Sequence, residues 1–177
     1  METFGTLDPV PAAHRLDLLA EPVARALTAN PSAATLVAEI DPDLADTAAL
    51  CDAYDVPLDV SANCVVVSGK RGGEQRIAAC LILATTRADI NNVVRKRLDV
   101  RKASFLPTAD AVELTGMEFG GITPIGLPSE WPILVDAAVA ELPYAVIGSG
   151  LRKSKLLVPG KVLAAWPGAE VVDGLAR

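Results

Sequence analysis

The stretch Gly116–Gly126, which reads G-M-E-F-G-G-I-T-P-I-G, guides the interpretation of the rest of this sequence. Its four glycines and one proline within eleven residues are incompatible with a regular helix or an ordinary strand. Glycine adopts backbone conformations closed to other residues and lets a ligand approach the main chain closely. We therefore expect a shaped loop with unpaired backbone N–H groups between a helix and a strand. The alternative is a connection that carries no chemistry.

Two apolar runs before this loop predict a β-hairpin. Asn63–Val67 is rich in β-branched residues, Ser68–Glu74 is rich in turn residues, and Gln75–Thr86 is a longer apolar run. Both runs are apolar at successive positions rather than at alternate ones. Such strands are typical of a sheet that is covered on both faces.

The segment before the hairpin predicts helices around one short strand. Residues 1–11 lack periodicity, and we expect a loosely held arm there. His14–Leu27 has apolar residues at helical spacing, with Pro22 either kinking the helix or opening a second one. Ala34–Ile40 is expected to be a strand. Asp41 then caps a helix that runs through about Tyr54.

Short helices and strands also mix after the hairpin, without regular alternation. We expect helices over 89–98, 109–114, 136–141 and 160–165, and strands over 133–135, 144–147, 156–158 and 171–172. This order favours an α/β (α+β) fold over a doubly wound parallel one. The expected architecture is a mixed, mostly antiparallel, curved β-sheet flanked by helices.

The overall composition indicates one compact unit. The chain has 177 residues, of which 51% are hydrophobic and only 4% aromatic, so the core must consist mainly of small aliphatic side chains. The longest apolar run, Ile77–Ala84, is far too short to span a bilayer. The acidic N-terminus does not have the basic start of a secretory signal. These features predict a cytoplasmic protein without a membrane partner.

Cysteine and histidine usage argues against several kinds of site. The three cysteines, Cys51, Cys64 and Cys80, form no C-x-x-C pair, so we expect buried free thiols. The single histidine, His14, lies among ordinary helix-forming residues near the N-terminus. A Ser-His-Asp triad or a histidine-rich metal site is hard to build from this set. We expect no metal and no cofactor.

The net charge of −6 argues against generic DNA binding, but the charge is unevenly distributed. Residues 1–60 contain eleven acidic and two basic side chains, whereas residues 61–177 contain eleven acidic and fourteen basic ones. The second part is therefore mildly basic. Its charge permits contact with the end of an RNA.

The glycine loop and the order of elements around it resemble the YbaK family. That family includes the editing domain inserted in bacterial prolyl-tRNA synthetases and its free-standing relatives. The resemblance rests mainly on the G-G-[VI]-[ST]-P-x-G signature, matched by Gly120–Gly126, and on the later G-x-G at Gly148–Gly150. It covers Asp41 to Asp173. We therefore expect an N-terminal arm, helix and short strand over 1–40 and an editing domain over 41–177.

The resemblance implies that the loop backbone assists hydrolysis of an aminoacyl ester. The implied catalytic residues are Gly120, Gly121, Ile122, Thr123 and Pro124, together with a lysine on the first hairpin strand. In this sequence Asn63 stands where that lysine would be, and asparagine carries no charge. Lys70, in the hairpin turn, could replace the charge only with unusual geometry; a solvated turn lysine is the alternative.

Other candidate residues have both a structural and a functional interpretation. Asp136 is expected to cap a helix or to line the substrate pocket, and Thr123 to bind a ligand or to cap its turn. Gly148, Ser149 and Gly150 form either an ordinary turn or a turn that shapes the pocket. The basic residues are candidate contacts for the tRNA end, or they face water; they are Arg95, Lys96, Arg97, Arg152, Lys153 and Lys155.

The sequence therefore supports two functional hypotheses of different classes. The first is a trans-acting aminoacyl-tRNA deacylase that binds the 3′ end of a mischarged tRNA, with an aminoacyl-tRNA synthetase as a candidate partner. The second is a non-catalytic module on the same scaffold, which binds an amino acid, an aminoacyl-adenylate or a tRNA end. The neutral Asn63 favours the second hypothesis, and the glycine loop favours the first.

Overall fold

The chain forms nine strands and six α-helices within residues 4–177, the part that the computed structural model describes. The strands are β1 (Val10–Pro11), β2 (Leu36–Glu39), β3 (Ala62–Arg71), β4 (Glu74–Leu83), β5 (Ala103–Phe105), β6 (Ile133–Asp136), β7 (Ala145–Gly148), β8 (Ser154–Val158) and β9 (Ala169–Val172). The helices are α1 (Glu21–Ala29), α2 (Thr47–Tyr54), α3 (Arg95–Leu98), α4 (Thr108–Thr115), α5 (Ala137–Ala140) and α6 (Gly160–Ala164). None of the described helices is long and apolar enough to cross a membrane.

The predicted hairpin is confirmed, and its strands are longer than the sequence suggested. β3 and β4 pair antiparallel from Ala62↔Leu83 to Arg71↔Glu74. The two-residue turn is Gly72-Gly73, with φ of 58° and 81°. A tight hairpin turn of this kind requires positive φ at both central positions, which glycine supplies without strain.

The strands form two sheets, and most neighbouring strands are antiparallel, as expected. The five-stranded sheet has the order β5-β3-β4-β6-β9, in which β4–β6 and β6–β9 are parallel. The four-stranded sheet has the order β1-β2-β8-β7 and is antiparallel throughout. A single parallel bridge between Ser61 and Val146 links the two sheets at the start of β3.

The main hydrophobic core lies between the two sheets and the helices α1, α5 and α6. Adjacent residues of one strand contribute to different layers: Leu156 of β8 packs in this core, whereas Leu157 packs on the other face beside Leu50 of α2. The outer face of the five-stranded sheet is covered by α3 and the turn before it. Burial on both faces explains why these strands are apolar at successive positions.

The N-terminal segment differs from its prediction. Residues 4–11 are not a loose arm, because Leu7 is buried, Thr6 N–H donates to the Tyr54 carbonyl over 2.8 Å, and β1 pairs with β2. Residues 1–3 of the predicted arm lie outside the described residues. β2 also pairs with β8, so this segment completes the same sheet as later residues. The division at residue 40 stays a prediction.

Two predicted helices are interrupted. The helix expected over His14–Leu27 consists of two 3₁₀ turns followed by α1, which has Pro22 in its first turn. Proline has no backbone N–H to donate to a preceding turn of helix. It therefore fits the first turn, where that N–H would have no partner within the helix. The helix expected from Asp41 is likewise a 3₁₀ turn, capped by the Asp41 carboxylate, and then α2.

The junction between α5 and α6 requires a residue without a side chain. Gly160 N–H donates to the Leu142 carbonyl over 2.9 Å. A Cβ at Gly160 would lie 2.5 to 2.6 Å from the carbonyl oxygens of Val139, Ala140 and Leu142. These are backbone atoms, which cannot rotate away as a side chain could.

We predict that Gly160→Ala lowers the free energy of unfolding by about 3 kcal/mol, which is the upper end for overpacking. Chemical denaturation of the purified variant measures this change. The control is Gly174→Ala, where φ is +71° and no atom lies within 4 Å of the added Cβ. For this control we expect the free energy of unfolding to fall by only about 1 kcal/mol, the cost of left-handed backbone strain. Equal losses for the two variants would contradict the close packing at Gly160.

Candidate active site

A cavity of about 430 Å³ lies where the start of β3, the glycine loop, the last residue of β7 and the start of β8 meet. This volume is in the range of small-molecule sites, roughly 300–1,000 Å³. The cavity is lined by Ala45, Asp46, Thr47, Ala62, Asn63, Cys64, Val65, Val66, Phe105, Leu106, Thr108, Ala111, Phe119, Gly120, Ile122, Gly148 and Lys155. Most of these side chains are apolar, and a few polar groups are placed among them.

The cavity runs along the part of the β3 edge that β5 leaves uncovered. β5 pairs only with Val67–Gly69, and the last bond on that side runs from Leu106 N–H to the Val66 carbonyl over 2.9 Å. Residues 62–66 continue past the end of β5. Because backbone groups alternate along a strand, the N–H and carbonyl of Cys64 point to the same side as those of Val66. The cavity wall thus includes main chain as well as side chains.

The glycine loop is held beside this edge by bonds to the turn between β7 and β8. Gly150 N–H donates to the Gly121 carbonyl over 2.7 Å, and Glu118 N–H donates to the Gly150 carbonyl over 2.8 Å. At Gly148 the two backbones touch, since a Cβ there would lie 2.5 Å from the Gly121 carbonyl oxygen and 2.8 Å from that of Ile122. Glycine at position 148 is therefore what allows the loop to close against β7.

Two loop residues line the cavity and have free backbone donors. The amide N–H groups of Gly120 and Ile122 have no partner among the hydrogen bonds of residues 4–177. Gly121, Thr123 and Pro124 are buried behind the cavity wall instead. The Thr123 hydroxyl is buried and has no hydrogen-bond partner within the described residues, so it does not cap the turn.

Asn63 lies in the cavity wall, as the sequence suggested. The Thr47 hydroxyl, at the start of α2, donates to the Asn63 side-chain oxygen over 2.9 Å. This bond occupies the acceptor of the amide and leaves its NH₂ group as a donor toward the cavity. Asn63 therefore presents a neutral, oriented donor.

Lys155 also lines the cavity, whereas the sequence suggested only a contact with the tRNA end or a solvated position for it. Only 7% of its surface is exposed, and its ammonium forms no ion pair within the described part of the chain. Burial lowers the pKa of Lys155 to about 8, a shift that the nearby Asp46 opposes and Arg152 reinforces. The signal in the sequence was a lysine directly before the apolar run Leu156–Val158, since β8 begins two residues earlier than predicted.

Arg152 connects the segments around the cavity mouth rather than standing free for a ligand. Its guanidinium donates to the carbonyls of Pro42 and Phe119, each over 3.2 Å, and lies 3.6 Å from the Asp46 carboxylate. Its backbone N–H donates to the Glu118 side chain over 3.1 Å. The sequence-based expectation of a tRNA contact therefore does not match its environment, because its donors serve the protein. Asp46 remains largely exposed at the rim.

Four predicted substrate-binding residues lie away from the cavity wall. Lys70 lies at the far end of the hairpin, so it does not supply a charge here. Asp136 caps α5 by accepting from Ala138 N–H over 3.3 Å. Ser149 is fully buried and bonds to Ser154 over 2.7 Å, and Gly150 packs against Ala20. The bonds and packing seen for these residues are structural, and a part in substrate binding stays a prediction for them.

The predicted basic contacts are also explained largely by the protein itself. Arg95 donates to the Asn91 carbonyl over 2.7 Å, and Arg97 pairs with Glu170. Together with the exposed Lys96 they belong to α3, which packs on the outer face of the five-stranded sheet. Lys153 is exposed in the turn before β8. None of these residues lines the cavity.

The other side chains of the cavity favour binding of an organic group over thiol chemistry. Burial raises the pKa of the Cys64 thiol, so this cysteine stays protonated and is a poor nucleophile. Phe105 and Phe119, both of which line the cavity, are 59% and 62% exposed. An exposed aromatic ring beside a cavity offers a stacking surface for a planar group.

Comparison with known proteins agrees with this geometry. The model of a family described as the aminoacyl-tRNA editing domain matches residues 41–165. A 72-residue segment is 32% identical to a proline–tRNA ligase of Listeria monocytogenes and spans 39% of this chain but only 13% of the ligase. A crystal structure of a proposed trans-editing enzyme for prolyl-tRNA synthetase matches with a TM-score of 0.72 and 20% identity, over 93% of this chain and 96% of that one. The hypothetical protein APE2540 matches with a TM-score of 0.77 and 19% identity, over 89% of this chain and all of that one.

The two structural matches are below 25% identity, so they show a shared fold. The family match is more specific, because it covers more than two thirds of the chain and includes Asn63, the glycine loop and Lys155. The resemblance inferred from the glycine loop is confirmed: this chain belongs to the aminoacyl-tRNA editing domain family.

Proposed function

We propose that this protein is a trans-acting deacylase that hydrolyses the ester between a wrongly attached amino acid and the 3′ end of a tRNA. One observation carries the proposal: Gly120 and Ile122, whose amides are unpaired within the described residues, line the same cavity as Asn63 and Lys155. Ester hydrolysis needs donors for a developing oxyanion, and this cavity contains several. The trans-acting mode is supported by the likeness, over nearly the whole chain, to the proposed trans-editing enzyme.

Water is the nucleophile in this proposal, since the thiol of Cys64 stays protonated. Its oxygen attacks the ester carbonyl carbon while the carbonyl oxygen becomes negative. The loop amides donate to that oxygen, and one such donor contributes roughly 3 kcal/mol, or about a hundredfold in rate. The bond to the ribose oxygen then breaks, and that oxygen takes the proton released by water. The products are a free amino acid and a tRNA with a free 3′-terminal hydroxyl.

The substrate can be placed in the cavity by its chemistry. The aminoacyl side chain packs on the apolar wall formed by Val66, Leu106 and Ala111. Asp46, at the rim, takes the positively charged amino group, a role that the sequence assigned to Asp136. Because Asp136 is used as a helix cap outside the cavity, Asp46 is the better candidate. Hydrophobic selection of this kind discriminates only modestly between side chains of similar size.

The second candidate is a non-catalytic module that binds an amino acid, an aminoacyl-adenylate or a tRNA end, alone or with a synthetase. The observation in its favour is Asn63, whose neutral amide can orient a ligand without stabilising charge. The two candidates differ in turnover. Incubating the wild type with alanyl-, cysteinyl- and seryl-tRNA(Pro) tests them: release of an amino acid supports the deacylase, and saturable binding without release supports the module.

We predict that Gly120→Ala lowers the rate of deacylation about a hundredfold. Gly120 has φ of +80°, and an added Cβ would lie 2.4 Å from the Arg152 guanidinium nitrogen that holds the loop. The matched control is Gly73→Ala in the hairpin turn, with φ of +81° and no atom within 4 Å of the added Cβ. Both variants bear the same backbone strain, but only one alters the cavity. If the two variants hydrolyse the substrate equally well, the loop has no part in the reaction.

We also predict that Phe119→Ala raises the KM for the aminoacyl-tRNA about tenfold and leaves kcat nearly unchanged. The reason is lost stacking with the terminal base, which contributes roughly 1–3 kcal/mol per base. Steady-state kinetics separates the two constants. The control is Leu114→Ala, which also removes an exposed apolar side chain but lies outside the cavity wall. An unchanged KM for Phe119→Ala would show that this ring does not contact the substrate.

A further inference from the structure

Lys155 is a largely buried residue in the cavity wall, and its ammonium has no ion-pair partner within residues 4–177. We propose that Lys155 is a catalytic residue, which donates from its protonated amine to the ester carbonyl oxygen and supplies the positive charge that Asn63 lacks. This inference rests on the deacylase function proposed above. It assigns the charge to β8, a different strand and a different sheet from Asn63 on β3.

Burial is the first argument. Lysine is almost never fully buried unless it is paired, because removing an ammonium from water is costly. The aliphatic part of a lysine can be buried while its charged end stays accessible. Here 7% of the residue surface is exposed, and Lys155 lines the cavity, so the accessible surface that remains to it faces that cavity. An unpaired charge of this kind lowers the stability of the folded protein. A ligand oxygen in the cavity would provide the missing partner.

Strand register is the second argument. Lys155 pairs with Gly148 across the β7–β8 ladder. Side chains of directly paired residues lie on the same face of a sheet, and Gly148 has none. The space above Gly148 is filled by the loop carbonyls of Gly121 and Ile122. The glycine loop and Lys155 therefore lie on the same face of this sheet, at one paired position.

None of the charged groups near Lys155 forms an ion pair with it within the described residues. Asp46 before α2 favours its protonated form, Arg152 in the β7–β8 turn disfavours it, and the Cys51 thiol of α2 contributes weakly. The Asp46 carboxylate is 69% exposed, lies 3.6 Å from the Arg152 guanidinium and forms no ion pair with Lys155. Asn63 and Thr47, also in the cavity wall, are neutral. With a pKa of about 8, the amine is mostly protonated at pH 7 and ready to donate.

Depth distinguishes this role from phosphate binding. Arg152 and Lys153, in the turn before β8, are more exposed than Lys155, which is the second residue of β8. A buried ammonium beside Asn63 and the loop amides is placed for the acyl carbonyl rather than for the tRNA backbone. During the reaction its proton stays on the amine, and its charge stabilises the oxyanion until the ester bond breaks.

The proposal predicts a specific pH dependence. After subtraction of spontaneous ester hydrolysis, the catalysed rate at saturating substrate should be level below about pH 7 and should fall as the pH rises through about 8. The catalysed rate falls as the pH rises because the protonated amine is the active form. A lysine acting as a general base would give the opposite profile, with a rate that rises through the same range. That rising profile would overturn the proposal.

The variant that tests Lys155 directly is Lys155→Met, which keeps the length of the side chain and removes the charge. We expect deacylation to fall about a hundredfold while the melting temperature at pH 7 rises. The folded-state pKa lies below the ordinary value of 10.5, so the buried charge destabilises the wild type fully below about pH 8. The increase in melting temperature should therefore shrink as the pH rises from 8 to 10.5. The control is Lys161→Met, which removes an exposed lysine of α6.

The same assay separates failure of this inference from failure of the proposed function. Turnover by the wild type that survives in Lys155→Met overturns the inference and leaves the deacylase intact. No turnover by the wild type on any mischarged tRNA overturns both. A Lys155→Met variant that is inactive but melts lower than the wild type has lost structure, which contradicts an unpaired buried charge. Partial recovery of turnover in the double variant Asn63→Lys, Lys155→Met would show that the charge itself is required.

Discussion

The structure around the cavity depends on a backbone-to-backbone contact between the glycine loop and the turn after β7. Two hydrogen bonds, between Gly121 and Gly150 and between Gly150 and Glu118, hold the loop. At Gly148 the carbonyls of the loop occupy the position that a side chain would take. This contact needs residues without Cβ atoms on both sides, because main chains cannot otherwise approach so closely. It places the unpaired loop amides opposite the open edge of β3.

The site combines parts of the two sheets, and each sheet contributes a different chemical property. The five-stranded sheet supplies Asn63 and the strand edge that β5 leaves uncovered. The four-stranded sheet supplies Gly148 and Lys155 through one paired position. Arg152 joins the loop to the segment before α2. A charge on a largely buried side chain without an ion-pair partner is a cost to folding.

Features that are signalled by consecutive residues could be predicted, whereas the positions of single polar residues could not. The hairpin with its Gly72-Gly73 turn and the glycine loop were predictable because their signals lie in consecutive residues. For Asp136 the sequence offered a helix cap or a pocket role, and the structure has it capping α5; Ser149 belongs to a buried hydroxyl network. Lys155 was grouped with the neighbouring Arg152 and Lys153 as a contact for the tRNA end, because residues next to it in sequence do not reveal its burial.

The sequence by itself determined the family, the mixed sheet architecture and the loop that bounds the cavity, since proline restricts the backbone and glycine permits conformations that other residues avoid. Only the tertiary structure decided which polar residues face that cavity. Burial and pairing depend on neighbours that are far apart in the chain: Lys155 and Asn63 line one cavity because β7 and β8 come together and because β5 ends early on β3. Whether a lysine is a solvated cation or a buried donor is fixed by those contacts, so it cannot be read from the residues beside it.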